Sequence, residues 1–273
     1  MTELEQYYNK FNEDKRLTRR HGRVEYLVSM EYIHRYLDLL KQEKTLENLD
    51  IKILDVGAGT GRYSISLSEE GYDVTAVELV RYNLGMLKKK NSQVKAFQGN
   101  ALDLSRFEDE SFDCTIVFGP MYHLYTIEDK VKALSEAKRV TKVGGYIFVA
   151  YCMNEYGVLL YGFRDGHVKE CLEDGRLTED FRCCSTKKDL YDYVRIEQID
   201  EINQRVGLKR IQIIAPDGPA NYMRRDLNAM DEETYGLFVK YQLSICERQD
   251  LIGASAHTVD ILKKICNYSA PWK

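Results

Sequence analysis

The chain of 273 residues carries a formal net charge of −4 and has an isoelectric point near 5.8. This length allows one large domain with a substantial core, and the acidic balance argues against nucleic acid as a partner, because its capture needs a basic face. No apolar run approaches the roughly 20 residues that cross a bilayer, and the first residues are polar and charged, unlike a secretory signal. We therefore expect a cytoplasmic protein without a membrane partner.

The N-terminal segment, residues 1–47, is predicted to form a helical cap. Tyr26, Met30, Ile33 and Leu37 recur at helical spacing, so they define one apolar face. This face should pack on the body of the domain.

A glycine-rich loop follows the first predicted strand, residues 53–56. Glycine occupies every second position, Gly57, Gly59 and Gly61, before a helix begins. Such a loop lets the main chain press against a bound ligand where any Cβ would collide. The dinucleotide fingerprint is G-x-G-x-x-G, and the spacing here is one residue shorter. On the loop alone, a tight structural turn and an NAD site both remain alternatives.

The next two strands also end in residues that suit a nucleotide-type ligand. The strand 74–77 ends in Glu78, whose carboxylate can accept hydrogen bonds from both hydroxyls of a ribose. That acid alone would suit NAD equally well. The strand 94–97 leads into a short segment that contains Asn100 and Ala101.

Two further strands complete this part of the chain. Residues 112–118 predict a fourth strand that breaks at a Gly-Pro pair. A helix is predicted over 127–140, and a pair of glycines then turns into a fifth strand, 146–151.

The ordered combination of these motifs over residues 50–151 resembles the class I S-adenosylmethionine (SAM)-dependent methyltransferases. The sequence Asp-Val-Gly-Ala-Gly-Thr-Gly is similar to the first motif of that family, and the Asp and Phe at strand four and the glycine pair before strand five also follow its pattern. The resemblance implies SAM as the cofactor and methyl transfer as the activity.

The resemblance implies a role for each matching position. Glu78 would hold the ribose, Leu79 would pack on the adenine, and Asp55 would organise the amino-acid end of SAM. Asn100 stands where the family usually has an acid, yet its amide oxygen can accept a hydrogen bond from the adenine amino group. The full set of predicted cofactor-binding residues is Asp55, Gly57, Ala58, Gly59, Gly61, Glu78, Leu79, Asn100, Ala101, Phe118 and Tyr8.

Tyr8 enters this set because related enzymes often place an N-terminal aromatic residue over the cofactor. A tyrosine face can attract a sulfonium through a cation–π interaction. Tyr7 is an equal candidate, and packing of either ring on the core is the alternative.

The resemblance also implies the fold. We expect a doubly wound, mostly parallel α/β sheet of seven strands in the order 3-2-1-4-5-7-6, with the last-hairpin strand antiparallel. One methyltransferase domain would span residues 1–273, with its SAM-binding core at 51–151. Helical insertions or caps would occupy 152–190 and 216–256.

The elements after the fifth strand are predicted from pattern. A helix over 186–206 is stopped by Gly207, and strands follow over 208–215 and 257–264. About forty residues separate these last two strands, which is too long for an ordinary loop and favours an inserted helical cap.

The segment after strand four is the candidate acceptor site. Gly119-Pro120-Met121-Tyr122-His123 differs from the Asp/Asn-Pro-Pro-Tyr motif of amino-directed DNA methyltransferases, and looks like bacterial enzymes of the small-molecule type. His123 is a candidate base near neutral pH, and Tyr122 could position the acceptor. The alternative is that His123 only packs at a helix start.

Seven cysteines raise the question of metal or disulfides. No C-x-x-C pair exists, adjacent Cys183 and Cys184 have poor geometry for joint chelation, and an odd number does not suggest a disulfide framework. We predict reduced cysteines and no metal. His34, His167 and His257 have no partner spacing that suggests more than a structural role.

The sequence therefore predicts a SAM-dependent methyltransferase with a small-molecule acceptor. Methyl transfer would proceed by in-line displacement, for which orientation matters more than any obligatory catalytic side chain. Alternatives are a SAM-binding protein without turnover, an RNA methyltransferase and, less favoured by the glycine spacing, an NAD-dependent oxidoreductase. The acceptor atom and the oligomeric state cannot be predicted from the sequence.

Overall fold

The computed structural model of the protein describes residues 19–90 and 93–266. Its strands are β1 (Lys52–Val56), β2 (Asp73–Glu78), β3 (Lys95–Gln98), β4 (Phe112–Val117), β5 (Thr141–Cys152), β6 (Lys209–Ile214) and β7 (His257–Lys263). They form one sheet in the order β3-β2-β1-β4-β5-β7-β6. Strand β7 is antiparallel to both of its neighbours, and the other pairs are parallel. The predicted fold class and strand order are confirmed.

Helices connect the strands. They are α1 (Arg20–Lys44), α2 (Arg62–Glu69), α3 (Arg81–Lys89), α4 (Ile127–Val140), α5 (Asn154–Gly157), α6 (Val168–Glu173), α7 (Ile196–Val206), α8 (Arg224–Ala229), α9 (Glu232–Ile245) and α10 (Gln249–Ile252). A π-helical turn, Val158–Arg164, continues α5, and 3₁₀ turns lie at Asn48–Asp50 and Pro120–His123. Within the described residues, no helix combines the length and the apolar character that a transmembrane span requires.

The inner strands β1, β2, β4, β5 and β7 are buried on both faces of the sheet, whereas the edge strands β3 and β6 are partly exposed. Successive residues alternate between two core clusters, so Ile53 and Phe148 pack on one face and Leu54 and Ile147 on the other. Helix α1 covers the first face, with Met30, Ile33 and Leu37 buried and Tyr26 partly buried, as the helical spacing predicts. Helices α4 and α7 cover the second face.

The helix predicted over 186–206 is shorter than expected and occupies only Ile196–Val206. Residues 191–195, directly before this helix, are not helical because backbone donors among them bond elsewhere. The N–H of Asp192 bonds to the Tyr122 carbonyl at 2.6 Å, and the N–H of Val194 bonds to the Cys152 carbonyl at 2.9 Å. These long-range bonds replace the i→i−4 pattern of a helix.

The fifth strand is longer than predicted and begins at Thr141 rather than at residue 146. The predicted glycine turn lies inside it, beside a register shift between β4 and β5. A Cβ on Gly145 would lie 2.6 Å from the Asp113 carbonyl oxygen, so only glycine lets the two strands approach here.

The antiparallel β7 determines what lies beside the ligand-binding edge of the sheet. Ligands on open α/β sheets bind beyond the carboxyl ends of the parallel strands. Because β7 runs the opposite way, its first residue, His257, pairs with Cys152 at the end of β5. Strand β6 is antiparallel to β7, so its carboxyl end lies at the same edge.

We expect Gly145→Ala to destabilise the fold by about 1–3 kcal/mol, the usual range for overpacking, because the new methyl group would meet immovable backbone. The measurement is the free energy of unfolding from urea denaturation. Gly236→Ala is the matched control: this position lies inside α9 and has open space around it, so alanine should leave stability unchanged or raise it by up to about 1 kcal/mol. Equal stability of the two variants would contradict the packing argument.

Candidate functional site

A large cavity lies at the carboxyl edge of the sheet, with a volume of about 1070 Å³. Pockets for a single drug-sized ligand usually fall between about 300 and 1,000 Å³, so this cavity has room for more than one small molecule. It extends from the loops after β1, β2 and β3 to the segment after β4 and to the start of β7.

The glycine loop after β1 forms one wall of the cavity. Gly57 and Ala58 both donate their N–H groups to the Val77 carbonyl, at 2.8 and 3.1 Å. Gly57 has a φ of +79°, and a Cβ there would lie 2.5 Å from the Pro120 ring. Gly59 also has a positive φ, of +55°. Glycine is therefore required for backbone conformation and for close approach.

Gly61, the third glycine of the loop, lies at the start of α2. It caps α2 with a φ of +89°, and a Cβ there would lie 2.8 Å from the Leu87 side chain. Unlike Gly57, Ala58 and Gly59, it does not line the cavity. The absence of a side chain at Gly61 lets α2 pack closely against Leu87 of α3, and its predicted role in cofactor binding stays a prediction.

Glu78 joins the loops after β1 and β2. One carboxylate oxygen accepts the Gly59 N–H at 2.7 Å, and the other accepts the Val80 N–H at 2.8 Å. The residue is buried and lines the cavity. Carboxylate oxygens accept hydrogen bonds from hydroxyl groups, so the chemistry and position of Glu78 suit the two hydroxyls of a ribose, and this role stays a prediction.

Asp55 lies at the floor of the cavity, at the end of β1. Its carboxylate accepts a hydrogen bond from the Ser64 hydroxyl of α2. Burial raises the pKa of Asp55 to about 6, although the Ser64 hydrogen bond opposes this shift and the nearby charge of Glu78 adds to it. The arrangement suits a cationic ligand group such as the ammonium of an amino acid.

The loops after β2 and β3 form the end of the cavity predicted to hold adenine. Leu79 is 41% exposed and lines the cavity, so its side chain is open to a planar group. Asn100 and Ala101 line the same region. The Asn100 amide oxygen accepts the Leu102 N–H at 3.0 Å, and its second lone pair can accept a donor from a ligand.

Four aromatic side chains also line the cavity, and we call the region that they line the acceptor chamber: Tyr63, Phe118, Tyr122 and Tyr191. The Tyr63 and Phe118 rings lie 5.0 Å apart edge to face, and Tyr122 and Tyr191 lie 6.3 Å apart in the same manner. Phe118 and Tyr122 both line the cavity, and their predicted roles, cofactor binding for Phe118 and positioning of the acceptor for Tyr122, stay predictions. Tyr8 lies outside the described residues.

His123 also lines the acceptor chamber, but its environment disfavours a proton-accepting role. Its Nδ1 lies 2.8 Å from the Leu190 carbonyl oxygen, and the Tyr125 hydroxyl donates to the Asp189 carbonyl at 2.5 Å. Burial lowers the pKa of His123 to about 4, so the ring is a weak base. These contacts tether the extended segment before α7 over the chamber.

A polar cluster that the sequence analysis missed lies at the far wall of the cavity. Among the described residues, Glu25, Asp217 and His257 are the one group whose side-chain ligand atoms have a spacing compatible with a metal ion, within 4.8 Å of one another. Glu25 and His257 line the cavity. The Asp217 oxygens already accept hydrogen bonds from the protein. The spacing alone does not test the prediction of no metal, which stays a prediction.

The family assignment agrees with this geometry. Residues 54–149 match the family model described as methyltransferase domain. The matched segment contains the glycine loop, Glu78 and the acceptor-chamber residues Phe118 and Tyr122.

Curated relatives are similar over the same part of the chain. The demethylmenaquinone methyltransferase of Renibacterium salmoninarum is 41% identical over 103 residues, which cover 36% of this chain and 40% of that protein. The glycine/sarcosine N-methyltransferase of Aphanothece halophytica is 30% identical over 131 residues, covering 45% and 49%. The chain thus spans about half the length of these relatives or less.

Solved structures share the whole fold at low identity. A SAM-dependent methyltransferase from Methanosarcina mazei has a TM-score of 0.56 at 15% identity and covers 86% of this chain and 97% of that chain. The geranyl diphosphate C-methyltransferase of Streptomyces coelicolor, solved with S-adenosylhomocysteine (SAH), has a TM-score of 0.52 at 14% identity, with coverage of 85% and 80%. At identities this low, the similarity is evidence of a shared fold alone.

We expect Glu78→Gln to weaken SAM and SAH binding by about 10- to 100-fold, because hydrogen bonds to a charged group contribute roughly 1.5–3 kcal/mol. Isothermal titration calorimetry gives the dissociation constants, and circular dichroism confirms that the variant is folded. Glu69→Gln is the control, since Glu69 is exposed and lies outside the cavity. Unchanged affinity in Glu78→Gln would remove this residue from the cofactor site.

The raised pKa of Asp55 predicts that SAH affinity depends on pH. A bound ammonium favours ionised Asp55 and lowers its pKa below about 6, so affinity should rise as pH increases toward 6 and then level off. We expect weaker binding at pH 5.5 than at pH 7.5 in the wild type. Asp55→Asn should bind SAH weakly at both pH values. If this variant kept the pH dependence of the wild type, that dependence would belong to another group.

Proposed function

We infer that this protein transfers the methyl group of SAM to a small-molecule acceptor. The observation that carries this proposal is the continuity of the cavity from Glu78 and the glycine loop to the aromatic acceptor chamber. A SAM sulfonium already carries an activated methyl group, so the protein has mainly to align a nucleophile with the S–CH₃ bond. Such orientation contributes roughly 7–11 kcal/mol in favourable model systems.

The acceptor chamber favours an acceptor with an apolar ring or chain. Its walls are the rings of Tyr63, Phe118, Tyr122 and Tyr191, which offer planar apolar surfaces with hydroxyl groups at the tips. Among the relatives, the name demethylmenaquinone methyltransferase describes an acceptor of this character, whereas glycine and sarcosine are smaller and more polar. We therefore propose a partly apolar small molecule rather than an amino acid.

The segments outside the sheet are proposed to act as caps over this cavity. Glu25 comes from α1, and Lys187 to Tyr191 come from the segment before α7, so both regions contribute to the lining. Exclusion of water by such caps would protect the alignment of donor and acceptor. A cytoplasmic location is also proposed, because all seven cysteines are free thiols and disulfides form mainly in oxidising compartments.

A screen for turnover tests the proposal. The purified chain is incubated with SAM labelled in its methyl group and a panel of quinols, phenols and amines, and SAH release is followed together with transfer of the label. We expect SAH release that depends on one class of acceptor, strongest for aromatic hydroxyl compounds, and slower release in Glu78→Gln.

Other outcomes distinguish the alternatives. Micromolar SAM binding without SAH release for any acceptor would favour a SAM-binding protein without turnover. Label transferred to RNA but to no small molecule would favour an RNA methyltransferase. Fluorescence titration that shows NADH binding in place of SAM would overturn the cofactor assignment.

A further inference from the structure

The polar cluster of Glu25, Asp217 and His257 is assembled by three separate elements. Glu25 lies on α1, Asp217 follows β6, and His257 begins β7. The direction of β6 and β7 brings the last two to the ligand-binding edge of the sheet. The cluster is therefore a product of the topology and lies at the cavity rather than in a remote part of the core.

Asp217 is held in one orientation by four donors. One oxygen accepts the Ser255 hydroxyl at 2.5 Å and the His257 N–H at 3.1 Å. The other oxygen accepts the Asn221 amide at 2.8 Å and lies 2.7 Å from His257 Nδ1. Burial alone would raise the pKa of Asp217, but the charge and hydrogen bonds of His257 and the Ser255 hydroxyl hold it below its usual value.

This arrangement fixes the roles of the two nitrogens of His257. An ionised carboxylate only accepts hydrogen bonds, so Nδ1 carries the proton in the bond to Asp217. Nε2 is then the ring nitrogen that can exchange a proton with a ligand. The side chain is 15% exposed and lies in the cavity wall, with its ring 5.4 Å from that of Tyr122.

The position of His257 in the sheet places it with the acceptor rather than with the adenosine. Four strand spacings, through β1, β4 and β5, separate β2 from β7, which is about 19 Å at the usual strand separation. Glu78 ends β2, so the predicted ribose ligand Glu78 and His257 come from well-separated strands at the cavity. Tyr122, which follows β4, lies between them and contacts the cluster.

The surroundings of His257 favour its protonated form. Burial alone would lower its pKa, but the carboxylates of Glu25 and Asp217 raise the pKa well above the usual value. Glu25 Oε2 lies 3.6 Å from His257 Nδ1, and Cys152, Tyr156 and Tyr122 are further titratable groups near the ring. The cluster can therefore stabilise a proton received from a ligand.

We propose that His257, positioned by Asp217, is the proton acceptor for a small molecule whose nucleophilic atom carries a hydrogen, as O–H or N–H. This proposal rests on the proposed function. The bond between the nucleophile and the methyl carbon forms while the S–CH₃ bond breaks, and its electron pair remains on sulfur. The proton of the nucleophile passes to His257 Nε2, so the products are the methylated acceptor, SAH and the imidazolium of His257.

The test compares His257→Asn with His34→Asn, using the acceptor that the panel described above identifies. His34 also pairs with a carboxylate, Glu70 at 2.7 Å, but lies outside the cavity. We expect His257→Asn to lose at least about 100-fold in kcat/KM, the lower range for a general base, and to keep its SAH dissociation constant within about twofold. His34→Asn should match the wild type in both measurements.

The pH profile separates a proton acceptor from a structural residue. His257 must be neutral to accept a proton, so the wild-type rate should rise with pH until the raised pKa of His257 is passed. Removal of a neighbouring negative charge in Asp217→Asn destabilises the imidazolium and should shift this rise to lower pH. Glu25→Gln should shift the rise in rate in the same direction, and this variant provides the test if Asp217→Asn does not fold.

Each contrary result has a distinct meaning. A kcat/KM in His257→Asn within tenfold of the wild type, or an unshifted profile in both charge variants, would overturn the role of His257. Loss of SAH binding in His257→Asn alone would make the residue structural. Tight binding of Mn²⁺ or Zn²⁺ that disappears in His257→Asn would make the cluster a metal centre and overturn proton transfer. Failure of the wild type to bind SAH, or to methylate any acceptor, would remove the proposed function and this proposal with it.

Discussion

The carboxylate of Glu78 is the interaction on which the cofactor side of the cavity depends. Its two oxygens accept backbone donors from the loops after β1 and β2, so one side chain fixes the relative positions of two strand ends. The glycines of the first loop make this contact possible, because a side chain at Gly57 would collide with Pro120 from the loop after β4. Three loops are thereby packed against one another, with the Glu78 carboxylate joining two of them and the Pro120 ring of the third lying against Gly57.

Much of the cofactor side of the cavity could be predicted from the sequence because its signals are local. The glycine spacing, the acid at a strand end and the apolar runs all occur within a few neighbouring positions. Helix α4 has the predicted bounds because Thr126 caps its first turn by accepting the Asp129 N–H. Gly61 belongs to the same motif but serves helix packing, which spacing alone cannot reveal.

The remaining features depend on contacts between distant parts of the chain. Residues before α7 have helical periodicity, yet bonds to the Tyr122 and Cys152 carbonyls keep them extended. The weak basicity of His123 follows from burial by the same segment. His257 seemed structural in the sequence because its partners, Glu25 and Asp217, come from other elements. The predicted strand order does contain one relevant signal, since an antiparallel last strand must begin at the ligand-binding edge.

The bond between Asp217 and His257 also closes the base of the helical segment inserted between β6 and β7. The two ends of this insertion are pinned together beside the sheet, so changes in its length need not disturb the pairing of the two strands.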